Sequence, residues 1–269
     1  MIESIKLVVF DWAGTTVDHG CFAPVQPFID VLTRNGVTIS ASDARGPMGI
    51  DKKEHLRALL ALPHAAKQWG DHHGSAEAME ADVDRLFAEM TPLAVESVRG
   101  HTQLIDGVRE MAAELRRRGL KIGATTGYFT EAAQACHLAA AEQGYRPDAA
   151  FCVSDVTCGR PAPFMIYRNM EATGMYPAAS VLKIGDTVPD IEEGLNAGCW
   201  SAGVVLTGSE MGLTEADLAK LPASERARRT DAIREKLLDV GAHDTIDFVS
   251  DTPALVDDIN ARLAAGERP

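Results

Sequence analysis

Short apolar runs rich in branched residues alternate along most of the chain with longer segments of helical periodicity. Six runs have the length of buried strands, at residues 6–10, 120–126, 149–153, 181–185, 201–206 and 246–249. Helical patterns occur at 105–118, 130–143, 163–173, 190–197 and 253–263. Strand–helix alternation of this kind predicts an α/β fold whose core is a doubly wound, Rossmann-like parallel sheet.

The segment from about residue 23 to 99 breaks this alternation. It has helical stretches at 24–35, 51–62 and 76–90 and no run typical of a strand. We therefore expect an α/β core domain, residues 1–20 and 100–269, with an all-helical domain, residues 21–99, inserted into it. The segment 208–241 is also helical and charged, and we expect it to pack on the core.

The composition of the chain limits which partners the protein can bind and in which cell compartment we expect it. The 269 residues are 46% hydrophobic and 24% charged, which is ordinary for a globular protein. The formal net charge of −13 disfavours nucleic acid and anionic membranes as partners. The five cysteines form no metal-binding or redox motif. Without a signal-peptide pattern or a bilayer-spanning apolar run, the sequence predicts a cytoplasmic protein.

Residues with useful chemistry lie at or after the ends of four of the expected strands. Asp11, Arg160 and Asp186 follow the first, third and fourth strands, and Thr126 is the last residue of the second. Each residue alone has a plainer explanation as a turn former, a helix cap or a surface group. Ligands of parallel sheets, however, bind at the carboxyl ends of the strands. The sequence therefore predicts one site there, where Asp186 suits a hard cation and Arg160 suits a phosphoryl group.

This ordered set resembles the motifs of the haloacid dehalogenase-like hydrolases, which here are Asp11-x-Ala-Gly-Thr, Thr126-Gly127, Arg160-Pro and Gly-Asp186-Thr187-x-x-Asp190. The resemblance implies that the inserted helical domain is the cap domain of that superfamily. It implies that Asp11 attacks phosphorus and forms an aspartyl-phosphate. It also implies that Thr126, Gly127 and Arg160 bind the phosphoryl oxygens.

The same resemblance implies Mg²⁺ as the cofactor. Its ligands would be Asp11, Asp186 and the backbone carbonyl of Ala13. Asp190 and Thr187 would lie behind these ligands, where Asp190 either supports the surroundings of the ion or orients the nearby arginine.

Position 13 departs from most phosphatases of that superfamily, which carry a second aspartate there to protonate the leaving group. Ala13 cannot transfer a proton, so either the protein is inactive or its leaving group needs no acid. The expected helix at 51–62 offers another group, because Met48, Lys52 and His55 are spaced to share one helical face. A lysine on a helix is more commonly a solvated cation.

The chain is also similar, over nearly its whole length, to a narrower family, the phosphonatases or phosphonoacetaldehyde hydrolases. The matching segments lie at 11–16, 125–128, 159–161, 175–177 and 208–214. The resemblance implies hydrolysis of the carbon–phosphorus bond of phosphonoacetaldehyde to acetaldehyde and phosphate, in the degradation of 2-aminoethylphosphonate. It implies a Schiff base between Lys52 and the aldehyde. Cys21 and Met48 are candidates to shape the aldehyde end, Tyr128 to line the pocket and His55 to assist proton transfer; the alternatives are a small buried apolar role for Cys21, packing beside Thr126 for Tyr128 and a place on the helix surface for His55. The resemblance also implies a homodimer joined through the cap domain.

Such a reaction fits the departure at Ala13. Cleavage of a carbon–phosphorus bond leaves a carbanion, and a protonated imine accepts that electron pair without an acid at position 13. Lys52 must be neutral to attack the aldehyde, which predicts a pKa lowered by burial, by nearby cations such as Lys53, or by both. The cap domain would open and close about hinges near residues 19–23 and 96–102.

Two other functions stay open on the sequence alone. A phosphate-ester phosphohydrolase or phosphomutase of the same superfamily would depend little on Lys52. A non-catalytic phosphate-binding protein would explain the missing acid as decay, although the nucleophile and the metal carboxylate are both retained. A dehalogenase is disfavoured because it would not need Asp186.

Overall fold

The computed structural model describes residues 4–75 and 77–269. In that part of the chain, one sheet holds six parallel strands in the order β3-β2-β1-β4-β5-β6. The expected α/β fold with a parallel sheet is confirmed. The strands overlap the six predicted runs and have the bounds β1 Leu7–Phe10, β2 Lys121–Thr126, β3 Ala149–Cys152, β4 Val181–Gly185, β5 Trp200–Val204 and β6 Asp244–Ile246.

The helices fall into two groups. Between β1 and residue 100 the described residues form α1 Val25–Arg34, α2 Ala41–Arg45, α3 Lys52–Leu60, α4 Pro63–His73 and α5 Glu80–Gly100, and we call residues 25–100 the helical insertion. The others are α6 Val108–Arg117, α7 Thr130–Glu142, α8 Phe164–Thr173, α9 Val188–Asn196, α10 Glu215–Lys220, α11 Ala223–Asp239 and α12 Thr252–Ala264. Within the described ranges, no helix is both long enough and apolar enough to cross a bilayer.

The central strand β1 shows why the sheet is covered on both faces. Leu7 and Val9 pack in one apolar cluster with Ile166, while Val8 and Phe10 belong to a separate, larger cluster. Successive side chains of a strand point to opposite faces, so a run that is apolar at every position fits a strand buried on both sides. This doubly wound arrangement brings the residue after β1, Asp11, to the middle of the carboxyl edge.

The helical insertion packs on itself and on the core. Its helices α1 and α5 lie against each other, and α5 also packs against α7 of the core. The ring of Phe87 meets the ring of Phe129 edge-on, with 5.7 Å between their centroids. These contacts hold the insertion beside the carboxyl edge of the sheet.

The insertion differs from the predicted pattern in three places. The pattern does not predict α2, which is short and held by a capping box between Ser40 and Asp43, or α4, which begins at Pro63. Helix α5 continues through Pro92, although proline usually ends a helix, and it runs to Gly100 rather than to residue 90. Residues 1–3 and 76, which fall in the predicted domains, lie outside the described residues, and the domain bounds stay a prediction.

Candidate active site

A small cavity opens where the carboxyl edge of the sheet faces the helical insertion. Most residues predicted for the site line it, and the lining is Asp11, Ala13, Cys21, Pro24, Met48, Gly49, Lys52, Thr126, Gly127, Tyr128, Arg160, Asp186 and Thr187. A wider groove lies at the start of α6, but its ionisable residues Asp106, Arg109 and Glu110 are all exposed. Buried ionisable groups therefore mark the smaller cavity as the candidate site.

Asp11 lies on the floor of this cavity and is buried. Nη2 of Arg160 donates a hydrogen bond to its Oδ1 at 2.6 Å. Burial raises the pKa of Asp11, and the charge of Arg160 opposes that rise. Gly14 has a φ of +84°, and a Cβ there would lie 2.7 Å from Oδ2 of Asp186. Glycine at position 14 therefore lets the turn after Asp11 close onto the second carboxylate.

Asp186 faces Asp11 across the cavity. The backbone N–H of Ser209 donates to its Oδ2 at 2.7 Å, yet burial, with the charges of Asp11 and Asp190 nearby, raises the pKa of Asp186 to about 8. Oxygens of these three aspartates lie within 4.8 Å of one another. Buried carboxylates so close together repel each other unless a cation lies between them.

Asp190 already has its counter-charges. Its Oδ1 lies 2.8 Å from Nη1 of Arg160 and 2.8 Å from Nζ of Lys183, and its Oδ2 accepts a hydrogen bond from the hydroxyl of Thr187 at 2.5 Å. These contacts agree with its predicted place behind the metal ligands. They leave Asp11 and Asp186 as the carboxylates available to an ion.

The formal charges of this cluster suit a divalent cation. At the site, the described residues include four buried carboxylates, Asp11, Asp186, Asp190 and Glu193, and two buried cations, Arg160 and Lys183, which contact all of these carboxylates except Asp186. The difference is an excess of two negative charges. The acidic cluster can therefore hold a metal ion, and its oxygen donors suit a hard one. Ala13 lines the same cavity, and the role of its carbonyl stays a prediction.

Lys52 is the first residue of α3, whose N-cap is the side chain of Asp51. Its side chain is buried, and its Nζ lies 5.6 Å from the ring centroid of Phe28 and 5.7 Å from that of Tyr128. Burial lowers the pKa of Lys52; the charges of Asp11 and Asp51 oppose this shift, and the charge of Arg160 adds a smaller lowering. Burial of this kind favours the neutral, nucleophilic amine.

Lys53 does not have the effect predicted for it. Its ammonium points out of the cavity and pairs with Asp84 on α5. The neighbouring cation that lowers the pKa of Lys52 is instead Arg160. Adjacent helix positions point about 100° apart, which is why one lysine faces the cavity and the next faces solvent.

Met48 does not share a helical face with Lys52 as expected, because α3 begins only at Lys52, whereas His55 lies one turn after Lys52 in the same helix. Met48 lies in the turn before the helix and still reaches the cavity. His55 does not line the cavity: its ring packs on Phe28 with 3.9 Å between centroids, and its Nε2 lies 2.9 Å from the carbonyl oxygen of Ala44. Burial lowers the pKa of His55 to about 2, so the ring is neutral and holds α3 in place rather than facing a substrate.

Cys21 and Tyr128 line the cavity in their protonated forms. Burial raises the pKa of the Cys21 thiol and of the Tyr128 hydroxyl well above their usual values. The backbone N–H of Tyr128 donates to Oγ1 of Thr126 at 3.1 Å, which fixes the turn after β2. A Cβ at Gly127 would lie 3.1 Å from the carbonyl oxygen of Ile50, so this turn also meets the insertion closely.

Sequence reasoning missed several residues of the site. Pro24 and Gly49 line the cavity, and Lys183 and Glu193 lie beneath it. One signal was available for Lys183, because a lysine within the apolar run of β4 needs buried counter-charges.

The fold and this site define the class of the protein. The chain belongs to the haloacid dehalogenase-like hydrolases, whose family profile matches residues 5–198. The predicted resemblance to that superfamily is confirmed. Among solved structures, a β-phosphoglucomutase from Clostridium difficile shares the fold at a TM-score of 0.68 and 13% identity.

More similar relatives narrow the family. A phosphonoacetaldehyde hydrolase of Syntrophobacter fumaroxidans is 46% identical over 265 residues, which cover 98% of this chain and 95% of the relative. One from Paraburkholderia phytofirmans is 42% identical and covers 100% of both chains. The crystal structure of a phosphonoacetaldehyde hydrolase-like protein from Oleispira antarctica has a TM-score of 0.97 at 36% identity, covering 99% and 96% of the two chains. Within its class, the chain therefore belongs to the phosphonoacetaldehyde hydrolase family.

Proposed function

We propose that the protein hydrolyses the carbon–phosphorus bond of phosphonoacetaldehyde to acetaldehyde and phosphate. The observation that carries this proposal is the pairing of Lys52 with Asp11 in one cavity. A buried amine with a lowered pKa suits imine formation, and a carboxylate beside an arginine suits attack on phosphorus. Alanine at position 13 supplies no general acid, and an imine makes one unnecessary.

The reaction would begin on Lys52. Its neutral Nζ attacks the aldehyde carbon, a water molecule leaves, and a protonated imine forms. Thr126, Gly127 and Arg160 would hold the phosphonate oxygens at the sheet edge. Asp11, Asp186 and the carbonyl of Ala13 would hold Mg²⁺, which when bound offsets the charge between the nucleophile and the phosphonate.

Bond cleavage would then involve both halves of the site. An oxygen of Asp11 attacks phosphorus, the carbon–phosphorus bond breaks, and its electron pair moves into the imine to give an enamine on Lys52. Water hydrolyses the aspartyl-phosphate and releases phosphate. The enamine is protonated at carbon, and a second water hydrolyses the resulting imine to acetaldehyde. One water is consumed overall, because imine formation released one.

The helical insertion would act as the cap that carries Lys52 over Asp11. Its first connection contains Asp18 and Cys21, both with positive φ, within or beside the predicted hinge at 19–23. The second predicted hinge, 96–102, includes the last residues of α5. The homodimer, the cytoplasmic location and the place in 2-aminoethylphosphonate degradation stay predictions.

The test is incubation with phosphonoacetaldehyde and Mg²⁺, with and without borohydride. We expect phosphate release without the reductant, and with it loss of activity and a reduced two-carbon or phosphonate-bearing adduct on the peptide that contains Lys52. Turnover of phosphate esters without any adduct would favour the phosphohydrolase or phosphomutase alternative. If the protein hydrolyses neither phosphonoacetaldehyde nor phosphate esters, the alternative of a non-catalytic phosphate-binding protein is favoured.

Metal addition gives an independent prediction for the acidic cluster. Because a ligand that binds only the folded state stabilises it, Mg²⁺ at 100 times its Kd should add about 2.7 kcal/mol to the free energy of unfolding. Thermal unfolding with Mg²⁺ and with EDTA measures this as a rise in Tm. Asp186→Asn should abolish the rise, whereas Asp18→Asn, at a buried aspartate outside the cluster, should keep it. An equal rise in both variants would place the ion elsewhere.

A further inference from the structure

Beneath the cavity floor lies a group of buried polar side chains that do not line the cavity. Lys183 on β4, Glu193 on α9 and Thr125 on β2 are all fully buried. We call these three residues the supporting network. They come from three different elements of the core, and each contacts the other two within 3.3 Å.

The network surrounds Arg160 on the side away from the cavity. Nε of Arg160 donates to Oε2 of Glu193 at 3.0 Å, and Nη2 donates to the hydroxyl and the carbonyl oxygen of Thr125 at 2.8 and 2.9 Å. Nη1 pairs with Asp190. All three nitrogens of the guanidinium thus have fixed partners, and the plane can take one orientation, with Nη2 towards Asp11.

The charges within the network are arranged to keep that orientation. Oε2 of Glu193 receives Arg160, the hydroxyl of Thr125 and, at 3.3 Å, Nζ of Lys183. Lys183 also forms an ion pair with Asp190, so it contacts both carboxylates that bind the guanidinium of Arg160, Glu193 and Asp190. The two buried charges of the network, on Lys183 and Glu193, are costly to desolvate, and apolar side chains of similar volume at such positions are often at least as stable. Glu193 and Thr125 contact Arg160 directly, and Lys183 acts on it through Glu193 and Asp190.

We propose that Glu193, Lys183 and Thr125 are positioning residues, which fix the guanidinium of Arg160 in the orientation that receives phosphoryl oxygens beside Asp11. None of them touches the substrate in the proposed reaction. The inference rests on the proposed function only for the choice of phosphonoacetaldehyde as substrate. The phosphoryl group that Arg160 would bind is common to the phosphate chemistry of all haloacid dehalogenase-like hydrolases.

The central variant is Glu193→Gln, which keeps the shape and an acceptor oxygen but removes the charge. We expect kcat for phosphonoacetaldehyde to fall roughly 10- to 100-fold, as when a group that orients a binding residue is lost. The affinity for inorganic phosphate, measured by calorimetry, should fall about 10-fold. In an Arg160→Lys background, where the ammonium has no Nε, Glu193→Gln should change neither quantity further.

Two further variants separate positioning from stability. Thr125→Val is nearly isosteric and should give the same pattern if Glu193→Gln does not fold. Asn169→Ala removes another fully buried polar side chain, one that bonds the backbone of Ala124 and not the guanidinium. It should lower Tm while leaving kcat and phosphate affinity within about twofold of the unchanged protein.

The results also distinguish the inference from the proposed function. If the unchanged protein does not hydrolyse phosphonoacetaldehyde, the proposed function fails, and phosphate affinity still tests the network. A folded Glu193→Gln or Thr125→Val protein with normal phosphate affinity overturns the inference. So does an effect that is equally large with arginine or lysine at position 160, because the network would then act on something other than the guanidinium.

Discussion

Lys52→Arg should lower phosphate release from phosphonoacetaldehyde by roughly 10⁴-fold or more, as expected when a covalent catalyst is removed. A guanidinium stays protonated at every accessible pH and cannot form the imine. The variant should also give no adduct with substrate and borohydride. Phosphate assays and mass spectrometry of the peptide containing residue 52 measure the two effects.

Controls for this result come from the same helix. Lys53→Arg changes the neighbouring lysine, which faces solvent and pairs with Asp84, and should leave turnover within about twofold. Because arginine is bulkier than lysine and keeps a charge, Lys52→Met serves as a second variant, which removes the amine and adds neither bulk nor charge. A Lys52→Met protein that folds and retains full activity would eliminate the imine mechanism.

Asp11→Asn should separate the two halves of the reaction. The amide cannot form the aspartyl-phosphate, so phosphate release should fall by roughly 10⁴-fold or more. The imine on Lys52 needs no carboxylate at position 11, so the borohydride adduct should persist, now with the phosphonate still attached. The mass of the adduct measures this directly.

The contrast between the variants is informative. Lys52→Arg should lose both phosphate release and the adduct, whereas Asp11→Asn should lose only phosphate release. The asparagine can still accept the hydrogen bond from Arg160 at Oδ1, so the fold should be retained. Loss of the adduct from a folded Asp11→Asn protein would contradict the order of steps, because it would make the carboxylate necessary for imine formation.

The sheet and its reactive edge could be predicted from the sequence because they depend on local patterns. A strand covered on both faces is apolar at every position, as in β1, and the residue after it lies at the carboxyl edge wherever the strand falls in the sheet. Asp11, Thr126, Arg160 and Asp186 were found in this way, and the structure brings them into one cavity.

The rest of the site depends on packing that periodicity does not describe. His55 lies three residues after Lys52, which places it about 4.5 Å further along the helix and turned by about 60°. That displacement is enough to move its ring from the cavity to the space between Phe28 and the carbonyl oxygen of Ala44. Glu193 was missed for a related reason, since a glutamate on an amphipathic helix is usually solvated and only tertiary contacts show it to be buried.

The turn at Gly127 closely contacts the helical insertion, and this arrangement affects whether the cleaved fragments can recombine. Asp11 belongs to the central strand and Lys52 to α3, so after bond cleavage the phosphoryl group and the two-carbon fragment would be attached to different parts of the chain. Withdrawal of the insertion would carry the enamine away from the aspartyl-phosphate. Recombination of the fragments would then be slowed by their separation, and hydrolysis of the aspartyl-phosphate by the water that this movement admits would remove the reverse reaction.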